Sequence, residues 1–349
     1  MIISIALVFC SGWFLYTACR IARNCNIARP LGLPIIISAV SLNDPLWHFI
    51  SLFIPQKYQH TLSIFFRLNI YEKYSWNFAD KYTLHDKYGA ILVLVTPHHV
   101  ELIVADWQAA TQILARSKDF GKPTQILKKL DNFGQSLASV EGAQWRRHRK
   151  FTAGSFDRAM DMDVWRESFT QAGQVLSSWS RAGSIDTTHS NIVEISLDIL
   201  FKSCIGIVPR HDDSNTNKAA QVCRDMLTAF LQRASMPEKP WFLRYLTSSP
   251  DKERAKLAVR IFGHAVGSLL EDHAGGGPTQ NGLLSSMARG FRNMQTQETA
   301  LYLSKEEVQG NLFLFMFAGH ETTANTLVYI IHLLAIFPEW QDWIGDEID

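Results

Sequence analysis

Apolar residues fill a long stretch near the end of the chain, and the polar residues at its start predict one helix. Ser304 and Glu307 have the spacing of a capping box, in which the serine oxygen accepts from the amide three residues on and the glutamate reaches back. The next proline is Pro338, so about 32 residues can form one helix of roughly 48 Å. Apolar residues occur on all its sides, over 312–317 and 327–334. This pattern is typical of a helix that is buried all round.

Weaker patterns in the rest of the chain predict a mainly helical fold with one small sheet. Two apolar runs, at 91–95 and 100–104, flank Thr96-Pro97 and predict a β-hairpin. Asp106 stands where it can cap the helix that follows the hairpin. Amphipathic periodicity predicts further helices over residues 76–88, 164–181, 191–205, 217–234 and 251–273, and the glycine-rich residues 274–278 form the clearest break.

The beginning of the chain has the pattern of a membrane anchor. Residues 2–19 are mostly apolar, and as a helix of about 27 Å they can just cross a hydrocarbon core about 30 Å thick. Arginines follow this run and no basic residue precedes it. That order predicts an uncleaved anchor with the body of the protein in the cytosol. Residues 31–55 are also apolar, but prolines interrupt them, so we expect this segment to lie on the membrane surface.

The composition excludes several classes of protein. Hydrophobic residues make up 47% of the 349 residues, which is ample for a large core, and the net charge of +1 predicts no general attraction to nucleic acid. Three of the five cysteines lie within the first 25 residues, so neither a disulfide framework nor a zinc-binding spacing occurs. The chain also lacks a glycine-rich phosphate loop. We therefore expect a globular protein of a reducing compartment that binds no nucleotide.

Small and polar residues interrupt the long predicted helix at its centre, in the run Ala318-Gly319-His320-Glu321-Thr322-Thr323. A mid-helix glycine costs about 1 kcal/mol relative to alanine, so something must offset this run. Ala318 and Thr322 share a helix face with Gly319 beside them, and a flat ligand could lie there. The same patch could instead be a notch for helix packing, with the hydroxyls bonded to the preceding turn. A zinc site of the His-Glu-x-x-His kind is excluded, because Ala324 replaces the second histidine.

A second run of interest is basic and contains a tryptophan, Trp145-Arg146-Arg147-His148-Arg149-Lys150. Trp145 and Arg149 are four residues apart and lie on one face of a helix. Such basic runs are usually solvated helix faces, and a targeting signal is another interpretation.

These two runs together resemble the cytochrome P-450 haem-thiolate monooxygenases. The run from Ala318 to Thr323 is similar to the family's oxygen-binding helix, Ala/Gly-Gly-x-Asp/Glu-Thr-Thr/Ser, and Trp145 with Arg149 matches its Trp-x-x-x-Arg motif. The likeness is closest to the membrane-bound fungal members. Further matches occur in the family's order and spacing at Lys87-Tyr88-Gly89, Val95-Thr96-Pro97, Phe120-Gly121-Lys122-Pro123, Glu141-Gly142 and Gly310-Asn311-Leu312-Phe313.

The resemblance implies a mainly α cytochrome P-450 fold, with a small N-terminal β-hairpin subdomain and a long buried central helix. The implied domains are a membrane anchor over 1–23, an interfacial segment over 24–75 and a partial catalytic domain over 76–349. It also implies a haem cofactor, O₂ and a small lipophilic substrate such as a secondary metabolite. The implied electron donor is an NADPH-dependent cytochrome P-450 reductase at the endoplasmic reticulum membrane.

Particular residues take roles from this resemblance. By it, Trp145 and Arg149 bind the haem propionates. Ala318 and Gly319 leave room for O₂, and Glu321 and Thr322 relay protons. Arg146 or Lys150, on the same helix as Trp145, could contact an acidic surface of the reductase.

The family's axial cysteine is expected beyond the last residue of this chain. Its Glu-x-x-Arg helix and its Phe-x-x-Gly-x-Arg-x-Cys-x-Gly loop follow the region that ends at Asp349, and that loop supplies the thiolate ligand of the iron. Cys204 is followed by x-Gly but lacks the loop's other residues, and we interpret it as a core cysteine. We therefore expect no metal ligand in this chain and a catalytic part without its haem-thiolate region. The alternatives are an inactive truncated product or gene-model fragment, and a membrane-anchored helical interaction protein without haem.

Overall fold

The computed structural model describes residues 2–38, 81–182, 184–205 and 303–348, with eight helical residues between 260 and 287. Of the interfacial segment expected over 24–75, residues 39–75 lie outside the described residues, and residues 24–38 contain the end of the first helix and a strand, Ile35–Ile37. The predicted helix at 217–234, most of the one at 251–273 and the glycine-rich break also lie outside the described residues. The chain divides into two compact units, one of residues 1–121 and 233–249 and the other of residues 122–232 and 250–349.

The first unit is built on a sheet of three strands, in the order β1 (Ile35–Ile37), β2 (Ile91–Val95) and β3 (Val100–Val104). β1 pairs with β2 in parallel, and β2 pairs with β3 as the predicted antiparallel hairpin. The predicted cap is also confirmed, because Asp106 Oδ1 accepts from Ala109 N–H at 2.7 Å. The elements of this unit are α1 (Ile2–Ala28), β1 (Ile35–Ile37), α2 (Thr83–Tyr88), β2 (Ile91–Val95), β3 (Val100–Val104) and α3 (Trp107–Ala115).

The end of α1 is bonded to the turn of the hairpin. Arg20 Nε donates to Pro97 O at 3.0 Å, and Asn24 Nδ2 donates to Thr96 O at 2.8 Å. The last turns of α1 also contribute to a small apolar cluster with β2, formed by Cys25, Ala28, Val93 and Val95. Over the described parts of the chain, no helix combines the length and the apolar character that a membrane span requires.

The second unit is helical. Asp157 caps α6 (Arg158–Trp179) by accepting from Met160 N–H, so this helix begins six residues before the predicted Val164. The predicted helix over 191–205 is α only to Leu200 and continues as a π-helical turn, Phe201–Ile205, which includes Cys204. The elements are α4 (Thr124–Leu127), α5 (Gly142–Ala153), α6 (Arg158–Trp179), α7 (Thr188–Leu200), α8 (Lys305–Ile336) and α9 (Pro338–Ile348).

The long helix α8 begins and ends where its sequence predicts. Both bonds of the capping box are present, Glu307 N–H to Ser304 Oγ at 3.2 Å and Ser304 N–H to Glu307 Oε2 at 2.8 Å. The first half of α8 lies in the main core of the unit, through Val308, Leu312, Phe313 and Met316.

The expectation that α8 is buried all round is wrong for its second half. There α7 covers one side, through a cluster that includes Ile192, Ile195, Ala324 and Val328. Large apolar side chains on the remaining surface are exposed, because helix packing on one side buries only one stripe of a helix. They are Leu327, Tyr329, Ile330, Leu333 and Ile336.

Two glycines let the loop before α5 approach the backbone of α8. A Cβ atom at Gly310 would lie 2.5 Å from the carbonyl oxygen of Gly134 and 3.0 Å from that of Gln135. A Cβ atom at Gly134 would overlap the carbonyl group of Glu306, and its φ of +155° suits glycine best. The loop and the helix are therefore in direct backbone contact at this point.

Candidate functional site

Helix α5 brings Trp145 and Arg149 together on one face, as their spacing predicts. The guanidinium carbon of Arg149 lies 5.5 Å from the centroid of the indole ring. Within the described residues, neither the indole N–H nor the guanidinium group has a hydrogen-bonding or ionic partner. Trp145 is half-buried and Arg149 is exposed. The pair therefore offers free donors on one side of α5.

A second cation, Lys122, lies against the same indole ring. Its Nζ is 5.6 Å from the ring centroid and donates to Leu137 O at 2.7 Å. Burial lowers the pKa of Lys122, while the Glu141 carboxylate opposes this shift. Lys122 is not among the residues that the sequence predicted for this site, although the Phe-Gly-Lys-Pro motif that contains it was a signal.

The centre of α8 presents different residues to different sides. Thr322 Oγ1 donates to Ala318 O at 2.7 Å, and both residues are exposed. Gly319 faces α7 instead, where an added Cβ atom would lie 3.3 Å from both δ-methyl carbons of Leu200. The packing-notch interpretation therefore describes Gly319, and the bond that it expects from a hydroxyl to the preceding turn is present at Thr322. Ala318 and Thr322 nevertheless lie on the open side of the helix.

His320 and Glu321, which lie between Gly319 and Thr322, also differ in their surroundings. His320 is buried, with Nδ1 3.0 Å from Met316 O, and its carbonyl oxygen accepts from Ser196 Oγ of α7 at 2.9 Å. Glu321 is half-buried, and its carboxylate has no hydrogen-bonding partner in the part of the chain that the structure describes. His320 is thus a core residue, and Glu321 has an available carboxylate.

A polar cluster joins α5 to α8. Arg147 pairs with the Glu307 carboxylate, and Asn311 Nδ2 lies 2.9 Å from His148 Nδ1. This cluster is a polar connection between the two helices, beside the apolar packing of Phe151 of α5 on the core that contains the first half of α8. Sequence reasoning missed it, although an asparagine within an apolar run was a signal.

The described residues contain no group of three or more histidine, cysteine, aspartate or glutamate side chains placed to hold a metal ion. Cys19 is exposed and Cys25 is buried, and both lie on α1 in the first unit. The side chain of Cys204 lies outside the described residues.

Comparisons with known proteins agree on one family. Its profile, cytochrome P-450, matches residues 58–349. A cytochrome P-450 monooxygenase of Arthrobotrys oligospora is 26% identical over 80% of this chain and 52% of its own length. The phomenoic acid biosynthesis cluster cytochrome P-450 monooxygenase of Leptosphaeria maculans is 25% identical over 92% of this chain and 60% of its own.

A solved structure has the same fold. A zebra fish cytochrome P-450 in complex with progesterone superposes with a TM-score of 0.60, at 18% identity, over 76% of this chain and 62% of its own. The mainly helical architecture with a small sheet is therefore confirmed. The chain spans between half and two thirds of the length of these proteins.

Proposed function

The chain belongs to the cytochrome P-450 family, and we propose that the whole protein is a monooxygenase that inserts one oxygen atom of O₂ into a small lipophilic substrate. The curated relatives are named monooxygenases, and that of Leptosphaeria maculans is named for a biosynthesis cluster, which favours a secondary metabolite as substrate. The observation that carries the proposal is the pair of free donors at Trp145 and Arg149.

The donor set of α5 fits the carboxylates of a haem, the cofactor of this family. Haem supplies the chemistry of O₂ activation when bound. The Trp145 indole N–H and the Arg149 guanidinium would hold its propionates, because charge-assisted hydrogen bonds to carboxylates are strong and both groups are unengaged. The stacking of Arg149 on Trp145 keeps the two donors side by side.

The open side of α8 suits the handling of O₂ and protons. The small side chain of Ala318 leaves space beside the helix. On the side that faces α7, Gly319 lets Leu200 approach the helix closely. The Thr322 hydroxyl can exchange its bond to Ala318 O for one to a reacting group. Glu321, the preceding residue, has a carboxylate without a hydrogen-bonding partner among the described residues, and each of the two groups could exchange a proton with a reacting group.

The exposed basic residues of α5 are suited to an electron-donating partner. Arg146 and Lys150 are both exposed. Their charge favours association with an acidic surface, such as that of an NADPH-dependent reductase.

Replacing Arg149 by alanine tests the assignment of the propionate site. In a protein that joins this chain to the cysteine-bearing segment of a relative, we expect the Kd for haem to rise about tenfold or more, since a hydrogen bond to a charged group contributes about 1.5–3 kcal/mol. Absorbance titration measures this change. The matched control is Arg146→Ala, which removes an exposed arginine of the same helix. Haem dimethyl ester, whose propionates are uncharged, should bind the unsubstituted joined protein and its Arg149→Ala variant with the same Kd. If Arg149→Ala raised the Kd for haem and the Kd for the ester by the same factor, the assignment would be contradicted.

Replacing Thr322 by alanine tests the proton relay in the same joined protein. We expect the yield of product per NADPH oxidised to fall about tenfold, because a positioned proton donor contributes at least this much to a transfer step, while substrate affinity stays unchanged. Product and NADPH are measured together. Thr323→Ala is the control, since Thr323 is exposed one residue further around the helix. An unchanged yield would remove Thr322 from the relay.

We propose a location at the endoplasmic reticulum membrane, with the body cytosolic, on the charge order of the N-terminal sequence and not on a spanning helix of the structure. Residues 2–19 are mostly apolar, and Arg20, Arg23 and Arg29 follow them. We expect the whole protein to resist extraction from membranes by alkaline carbonate. Deletion of residues 2–19, which preserves Arg20 and Asn24, should make it extractable while interfacial segments keep it on membranes at neutral pH. If alkaline carbonate extracted the undeleted protein from membranes, residues 2–19 would not be an anchor.

A further inference from the structure

A buried histidine joins α5 to α8, and no step of the proposed chemistry uses it. His148 has 0% of its surface exposed, and the same is true of Asn311, which faces it from α8. The ring Nδ1 lies 2.9 Å from Asn311 Nδ2, and the ring Nε2 lies 3.4 Å from Glu307 Oε1, outside regular hydrogen-bond geometry. Polar groups buried to this degree need defined partners, so the arrangement of these side chains is specific.

The amide of Asn311 determines which nitrogen of His148 carries the proton. Asn311 Oδ1 accepts from Leu137 N–H at 2.8 Å, and Nδ2 donates to the carbonyl oxygen of Glu307 at 2.6 Å. Nδ2 has one hydrogen left, and this hydrogen faces His148 Nδ1, which must accept it. The ring is therefore neutral, with its proton on Nε2. Burial lowers the pKa of His148 and favours the same form, although the Glu307 carboxylate opposes that shift.

The two carboxylate oxygens of Glu307 bind groups at two different helices. Oε2 accepts from Ser304 N–H and begins α8, as the capping box predicts. Oε1 pairs with the Arg147 guanidinium of α5 and faces the Nε2–H group of His148. The residue that sets the start of α8 thus also holds α5. Arg147 and Glu307 are the charged groups that face His148 in the described part of the chain.

We propose that His148 is a positioning residue, which fixes α5 on α8 through Asn311 and so sets where Trp145 and Arg149 present their donors. The role of those two donors rests on the proposed function, whereas the link between the helices does not. His148 is the residue next to Arg149, but it is buried against α8 while Arg149 is exposed. One side of α5 is therefore buried against α8, while another side presents the donors of Trp145 and Arg149.

Two substitutions separate this role from mere space filling. His148→Leu keeps an apolar group of similar size but leaves one buried hydrogen of Asn311 Nδ2 without an acceptor. His148→Asn is smaller, yet its side-chain oxygen can replace Nδ1 as the acceptor. If packing alone mattered, leucine would be the milder change. If the acceptor matters, asparagine is the milder change.

Hydrogen–deuterium exchange of the full 349-residue chain tests the proposal without haem. We expect amides of residues 142–153 to exchange about tenfold faster or more in His148→Leu, and to stay within about threefold of the wild type in His148→Asn. The matched control is Gln144→Ala, an exposed position of the same helix, which should exchange as the wild type does. Unchanged exchange in the leucine variant, or equal acceleration in both variants, would overturn the proposal.

A spectrum of the wild-type chain gives an independent answer, also if the leucine variant does not fold. With ¹⁵N-labelled histidine at neutral pH, the signals that disappear in His148→Asn should show an unprotonated Nδ1 and a protonated Nε2. A proton on Nδ1, or a charged ring, would overturn the proposal. Arg149→Ala should weaken haem binding without changing exchange in α5, so failure of the proposed function and failure of this link are distinguishable.

Discussion

Replacing Gly310 by alanine is expected to lower the free energy of unfolding by about 3 kcal/mol, the upper end of the range for overpacking in a core. The added methyl group would lie 2.5 Å from the carbonyl oxygen of Gly134 and 3.0 Å from that of Gln135. Both atoms belong to the backbone of a loop that packs on α8, so no side-chain rotation can relieve the overlap. Urea unfolding, followed by the shift of its midpoint, measures the change.

A second glycine of the same unit serves as the control. Gly173 lies within α6, and a Cβ atom there would meet nothing within 4 Å. Gly173→Ala should therefore stabilise the protein by up to about 1 kcal/mol through helix propensity alone. The two substitutions have opposite expected signs, so a shift of both midpoints in one direction would contradict this account of Gly310.

Replacing Glu307 by alanine is expected to destabilise the protein by about 3 kcal/mol. It removes the capping bond to Ser304, which contributes about 1 kcal/mol, and it takes the carboxylate away from Arg147, whose side chain is only 25% exposed. Glu307→Gln separates the two effects, since glutamine can still close a capping box but carries no charge. Thermal unfolding of both variants measures the difference.

The neighbouring Glu306 provides the control for this experiment. It is exposed, and its carboxylate accepts from Ser304 Oγ within the first turn. Glu306→Ala should cost less than about 1 kcal/mol, as is usual for an exposed charge. If Glu307→Gln unfolded at the wild-type temperature, the pair with Arg147 would contribute nothing to stability.

Local signals in the sequence were sufficient for several elements of the fold, but they did not predict β1, which lies within the segment that was expected to be interfacial. The capping box of Ser304 and the cap of Asp106 each depend on residues three apart, so they can be read without knowing the fold. Asp157 gives the same signal, and its helix was placed too late because only the apolar periodicity from Val164 was used. The π-helical turn after Leu200 could not be predicted, since it changes the hydrogen-bond pattern without changing the composition.

Contacts between distant segments could not be read in this way. The spacing of Trp145 and Arg149 predicted their common face, because both lie on one helix. The partners His148 and Asn311 are separated by 163 residues along the chain, and nothing in either segment specifies the other. The exposure of Tyr329 was also missed, because an apolar helix does not reveal which of its sides has a neighbour.

Because α1 is hydrogen-bonded to the hairpin turn, the orientation of this helix relative to the sheet is fixed. Arg20 and Asn24 bind the turn at two successive positions of one helix face, and the helix continues without a break back to Ile2. Cys19 is exposed beside this attachment, whereas Cys25 is buried within it. A thiol-reactive spin label at Cys19 would therefore report the tumbling and orientation of the whole sheet, and its spectrum would lack the fast component of a loosely tethered chain end.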